Sequence, residues 1–91
     1  MRAVVFSSQA KKDYDNWLEN NRKTFIKIAQ IINDIDRNPY GGLGKPEPLK
    51  HELAGFWSRR INYKDRLVYK ITSFNEIYIW HELNQIQNNV K

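Results

Sequence analysis

Apolar positions change period several times along this chain. RAVVF (residues 2–6) is a β-branched and aromatic run and predicts a short strand. Behind Ser7 and Ser8, which can cap a helix, Ala10, Tyr14, Trp17 and Leu18 fall on one face at helical spacing. Asn20 and Asn21 break that pattern. Phe25, Ile28, Ile32 and Ile35 then follow at i, i+3, i+7 and i+10, with charged residues opposite, and predict a second helix. It should end near Asn38, because Pro39 disfavours helix at the residue before it. Helices joined this closely predict an antiparallel hairpin.

The second half reads differently. PYGGLGKPEP (residues 39–48) holds three prolines and three glycines and predicts an irregular loop. FWSRRIN and RLVYKIT, joined by YKD, fit two antiparallel strands, and IYIWHEL (Ile77–Leu83) fits another after the turn SFNE. The polar tail, residues 84–91, is expected to be loose or a short helical turn. The order βααβββ predicts a single α+β domain over residues 1–91, with the helix hairpin packed on one face of a small, mostly antiparallel sheet. Strand parity puts Trp57, Arg59 and Ile61 on one side and Phe56, Ser58 and Arg60 on the other. Leu67, Tyr69 and Ile71 mark the core face, so Arg66 and Lys70 project from the open face, near one of the two arginines across the hairpin. The Pro-Glu-Pro loop can reach the rim of that basic surface.

Composition narrows the classes. Ninety-one residues make one domain with a thin core, which a partner chain or dimer contact would help to stabilise. With no cysteine there are no disulfides, thiolate nucleophiles or cysteine zinc sites, which fits a reducing cytoplasm. No apolar run reaches the roughly 20 residues of a membrane span, and the N-terminal hydrophobic region is too short for a signal peptide, so a cytosolic protein is expected. Net charge is +5, and residues 45–70 carry seven basic side chains against three acidic ones. Charge concentrated in this way is the footprint of a nucleic-acid site. Neither a metal nor a nucleotide cofactor is supported. Two histidines 30 positions apart make no ligand set, and GGLG lacks the Lys-Ser/Thr ending of a P-loop.

The residue types in KPEPLKHELAGFWSRR suit one chemistry. RNA can be cut without metal, because its 2′-hydroxyl can attack the neighbouring phosphate. A protein then has to remove that proton, stabilise a phosphorane and assist the departing 5′-oxygen. Glu47, Arg60 and Arg66 are a base and two guanidiniums of the right kind, and the flanking prolines stiffen Glu47. Blander readings stand beside these. Glu47 can be a solvated loop residue. Arg59 and Arg60 can be a strand pair that discourages edge association, and Arg66 can simply pair with Asp65 or Glu47. His51 reads as a loop residue satisfied by backbone. Gly41, Gly42 and Gly44 read as a flexible connection rather than an anion-binding nest. Phe56, Trp57 and Tyr63 are candidates for base stacking, with at least one in the core.

The run GKPEPLKHELAGFWSRRINYKDRLVY (residues 44–69), with DY at Asp13–Tyr14 and the segment IDRNPYGGLGKPE, resembles the YoeB (Txe) toxins of bacterial toxin–antitoxin systems, members of the RelE superfamily. The resemblance covers roughly residues 3–80. It implies a microbial-ribonuclease-like α+β fold, ribosome-dependent cleavage of mRNA in the decoding site, and inactivation by a YefM-type antitoxin. A homodimer and operator DNA bound through the antitoxin complex are implied as well. By motif, Glu47 is implied as general base and Arg66 as the phosphate-stabilising arginine. Lys50 and Arg60 are implied as substrate or phosphate contacts, with Arg59 and Lys45 as additions.

The C-terminal region departs from that pattern. Typical members carry an Arg-Tyr-His-Tyr-like ending whose histidine is the proposed general acid, whereas this chain runs IYIWHELNQIQNNVK. Gapless alignment from Arg66 puts Asn84 where the histidine belongs. His81 lies three residues earlier, an odd step, so a regular strand would turn it to the other side and only a bulge would aim it at the site. His81 is thus either the acid or a neutral strand histidine beside Trp80, and attenuated cleavage or a non-catalytic binding module becomes the alternative.

Overall fold

The computed structural model describes residues 1–83, with side chains as far as residue 80. The expectation for the tail, residues 84–91, lies outside the described residues. β1 (Val4–Phe6) is two residues shorter than the apolar run. Ser7 caps α1 (Ser8–Asn20) by accepting from the Ala10 amide at 3.1 Å, and its hydroxyl donates to the Trp80 carbonyl, which ties the helix start to the sheet. Asn21 works at two helix ends. Its N–H donates to the Trp17 carbonyl and closes α1, while its Oδ1 accepts from the Thr24 amide at 3.1 Å and opens α2 (Arg22–Arg37). The predicted apolar stripe on α2 is wider than expected, because Ile31 is fully buried beside Ile28, Ile32 and Ile35.

Five strands form one sheet in the order β1-β5-β4-β3-β2. β3 (Trp57–Arg60), β4 (Arg66–Ile71) and β5 (Ile77–Leu83) make the predicted antiparallel meander, and β1 joins β5 in parallel. Asn62 sets the β3–β4 turn, its Oδ1 accepting from the Lys64 and Asp65 amides at 3.0 and 2.8 Å. The proline-rich segment is not wholly irregular. Glu47–Pro48 form a two-residue strand, β2, at the sheet edge, where a proline without an N–H is tolerated. Within β5 a bulge skips Trp80, so that Tyr69 pairs with Ile79 but Val68 pairs with His81.

The helix hairpin covers one face of the sheet. Ile28, Ile31, Ile32, Ile35, Leu67, Tyr69, Ile77 and Ile79 make the main core between the layers. The opposite face is only partly open. A 3₁₀ turn (His51–Leu53) folds over it and buries Leu49, Leu53 and Val68, with Phe56 and Trp80 packed at the side. Among the described residues no helix is long and apolar enough to cross a membrane.

Candidate active site

Register decides which charged side chains meet. Glu47 pairs with Ser58, Ser58 with Val68 and Val68 with His81, a single row across four strands. The next row joins Arg60, Arg66 and Leu83. Directly opposed residues share a face of the sheet, and Leu67 and Tyr69 occupy the core face, so Glu47, Arg60 and Arg66 lie on the outer one. There Arg66 Nη1 donates to Glu47 Oε1 at 3.3 Å, with side-chain exposures of 21% and 40%. A pair this exposed is worth about 0–1 kcal/mol and yields readily to a competing anion. Arg60 stands directly across from Arg66, and it is exposed and free of any ion pair among the described residues. Like charges facing each other across a strand pair repel unless an anion lies between them. The geometry is therefore that of an anion site with a carboxylate at its edge.

Arg59 belongs elsewhere, and its expected phosphate contact is corrected. It pairs with Leu67 on the core face and is 0% exposed. All three guanidinium nitrogens are engaged: Nη1 with Asp34 Oδ2 at 2.6 Å and the Leu43 carbonyl at 3.1 Å, Nη2 with the Asn38 carbonyl at 2.6 Å, and Nε with the Tyr69 hydroxyl at 3.2 Å. Tyr69 in turn donates to the Pro39 carbonyl at 2.6 Å. Four of its five N–H donors are spent inside the protein, and with no exposed surface the group is out of reach of a phosphate. These bonds fasten residues 38–43 to the end of α2 and to the sheet. The Leu43 amide and the Arg59 guanidinium, in that order, hold the Asp34 carboxyl below the ordinary aspartate range. Burial pushes the Tyr69 hydroxyl up, which keeps it a donor.

The same fastening aims the Pro-Glu-Pro segment. Gly44 has φ +80°, its carbonyl accepts from the Arg60 amide at 2.6 Å, and a Cβ there would meet the Arg60 carbonyl at 2.9 Å. A Cβ on Gly42, at φ +95°, would come within 2.2 Å of Asp34. These glycines permit close backbone approach, so the flexible-connection reading fails. Lys45 is left-handed as well, at φ +50°, an uncommon state for a residue with a Cβ and one found at sites where the surroundings over-determine the backbone. Pro46 and Pro48 then stiffen Glu47 within β2.

Lys45 and Lys50 are exposed near Glu47, one before β2 and the other ahead of the 3₁₀ turn. For His81 the backbone alone is described. The bulge shifts its pairing from Leu67, as a regular ladder would have it, to Val68 in the Glu47 row. Asn84 lies outside the described residues. His51 is exposed on the turn, Tyr63 is 92% exposed in the β3–β4 turn, Phe56 belongs to the small outer cluster, and Trp57 packs on the main core with its ring 4.9 Å from that of Tyr40. Sequence reasoning missed Asp34, Tyr69 and Ser58. For Asp34 the available signal was a carboxylate between Ile32 and Ile35 on the apolar flank of α2, where an unpaired charge would be costly.

Residues 6–83 match the model of the family described as YoeB-like toxin of bacterial type II toxin-antitoxin system. A toxin YoeB of Streptomyces coelicolor is 51% identical over 69 residues, which cover 76% of this chain and 82% of that protein. Two solved Staphylococcus aureus structures, a YoeB dimer and a YoeB–YefM complex, are each 41% identical with a TM-score of 0.86. The first alignment covers 93% of this chain and 98% of that one, the second 94% and 99%.

Proposed function

Since the chain belongs to the YoeB-like toxins of bacterial type II toxin–antitoxin systems, we propose that it inhibits translation as an endoribonuclease, cutting mRNA in the ribosomal A site. Supporting this reading above all is the outer-face cluster, in which the Glu47 carboxylate meets Arg66 while Arg60 faces Arg66 across the hairpin. Glu47 takes the proton of the ribose 2′-hydroxyl as its oxygen bonds to phosphorus. Arg66, released from its exposed pair, and Arg60 bind the equatorial oxygens, where charge develops in the phosphorane. Lys45 and Lys50 hold flanking phosphates. The phosphorus–5′-oxygen bond then breaks, leaving a 2′,3′-cyclic phosphate, and the leaving oxygen takes a proton. His81 is the candidate donor, its backbone lying in the Glu47 row. The nucleophile is part of the substrate, so the scheme calls for no metal and spares DNA.

By the same premise we assign a YefM-type antitoxin as the inhibiting partner, with the homodimer as a second assembly and operator DNA reached through the antitoxin complex. Staphylococcus aureus YoeB, which forms both a dimer and a complex with YefM, is the relative on which this assignment rests. Primer extension on actively translated mRNA tests the activity. New ends at A-site codons that vanish in Glu47→Ala are expected; no new ends, or unchanged ends in that variant, reject the reading.

A second reading is favoured by the sequence HELN (residues 81–84) standing where the family's histidine-bearing ending belongs. In it the chain occupies the ribosome or titrates the antitoxin without cutting. Growth arrest without mRNA cleavage, unaffected by Glu47→Ala and relieved by Arg60→Ala, would single it out.

A further inference from the structure

β2 and β4 are not neighbours, because β3 runs between them. The Glu47–Arg66 pair must therefore reach across β3, and the residue of β3 directly opposite Glu47 is Ser58. Ser58 is 0% exposed, and its Oγ has no hydrogen-bond partner among the described residues. Buried hydroxyls are nearly always satisfied, so each orphan calls for a reason. An acceptor stands beside this one. Arg66 engages Glu47 Oε1, and no hydrogen bond reaches Glu47 Oε2 among the described residues.

We propose that Ser58 is a positioning residue whose hydroxyl donates to the Glu47 carboxylate when Arg66 turns to the substrate phosphate. This rests on the role given to Glu47 above. A general base that surrenders its only cationic partner at the moment of reaction needs another donor to stay ionised and aimed. A neutral hydroxyl supplies one and lowers basicity less than a second arginine would. Ser58 keeps its own proton throughout, and the 2′-hydroxyl proton goes to Glu47. The small side chain also leaves room for the glutamate to lie across β3.

Ser58→Ala separates this role from a packing role, because removing an orphan hydroxyl should leave Tm unchanged or raise it. Under the proposal kcat for cleavage of ribosome-programmed mRNA falls about tenfold, as expected for one hydrogen bond to a charged group, with KM unchanged. The acid limb of the pH–kcat profile moves to higher pH. Ser58→Cys, which nearly conserves volume and donates weakly, should show the same shifts at smaller size, and it carries the test if Ser58→Ala does not fold. An acid limb of the pH–kcat profile that stays in place in both variants overturns the proposal, whatever their rates. Cleavage that also survives Glu47→Ala would overturn the proposed function, so the two failures are distinguishable.

Discussion

Arg59 and Arg60 are chemically identical neighbours with opposite surroundings. Arg59 points into the core, where Asp34, two loop carbonyls and the Tyr69 hydroxyl take four of its five donors. Arg60 points outward across from Arg66, exposed and unpaired among the described residues. One residue of strand parity separates a structural clamp from a member of the exposed charged cluster. A charge fully withdrawn from water is tolerated only when paired and hydrogen-bonded, and a group so placed is beyond the reach of a substrate. A guanidinium held opposite another, in water, is free to bind and gains by doing so.

Substitutions on the two faces test that contrast. The largest effect should come from the outer face, where Glu47→Gln lowers the single-turnover cleavage rate about 10²- to 10⁴-fold while Tm stays put. Next is the clamp: Arg59→Met strands Asp34 and two carbonyls and should cost about 3–5 kcal/mol of stability in urea unfolding. Arg59→Lys should rescue it poorly, since an ammonium cannot span the same acceptors.

Arg60→Ala should do the reverse, leaving stability within about 0.5 kcal/mol. It should lower kcat/KM roughly 10- to 100-fold by deleting charged hydrogen bonds to phosphate. If Arg59→Met left the fold intact and reduced only RNA affinity, Arg59 would belong with Arg60 and not with the clamp. Gly44→Ala links the two faces, since strain at φ +80° and the collision with Arg60 should cost about 1–3 kcal/mol. Cleavage should fall with it, because the shifted backbone carries Glu47.

The smallest effect is in pH. The folded-state Asp34 carboxyl lies below its ordinary value of 3.8, so its stabilisation is present above that value and is lost as pH falls through the folded one. The urea midpoint of the wild type should drop more steeply below about pH 4 than that of Asp34→Asn.

Much of this architecture is written in local patterns. The 3.6-residue recurrence of Phe25, Ile28, Ile32 and Ile35 marks α2, and alternation through RLVYKI and IYIWHEL marks the two longest strands, because periodicity follows from which face must leave water. Glu47, Arg60 and Arg66 were legible as a set through residue chemistry and the motif-level resemblance. Arg59 was misread because alternation says that Arg59 and Arg60 face opposite ways but not where the helices lie. Parity alone had placed it with Trp57 and Ile61, and only Asp34 arriving from α2 makes a buried arginine affordable. The bulge at Trp80 was equally hidden, since it depends on how β5 meets β4 and not on any residue within it.

What the chain determined by itself is its excess of positive charge and the order and kind of its elements, the latter set by patterns among residues near in sequence. Tertiary structure alone decided which arginine is spent on the fold and which stays exposed opposite Arg66, and which residue of β3 stands opposite Glu47. Those outcomes depend on register and on contacts spanning 10 to 25 positions, such as Arg59 with Tyr69 and with Asp34, which no local pattern encodes.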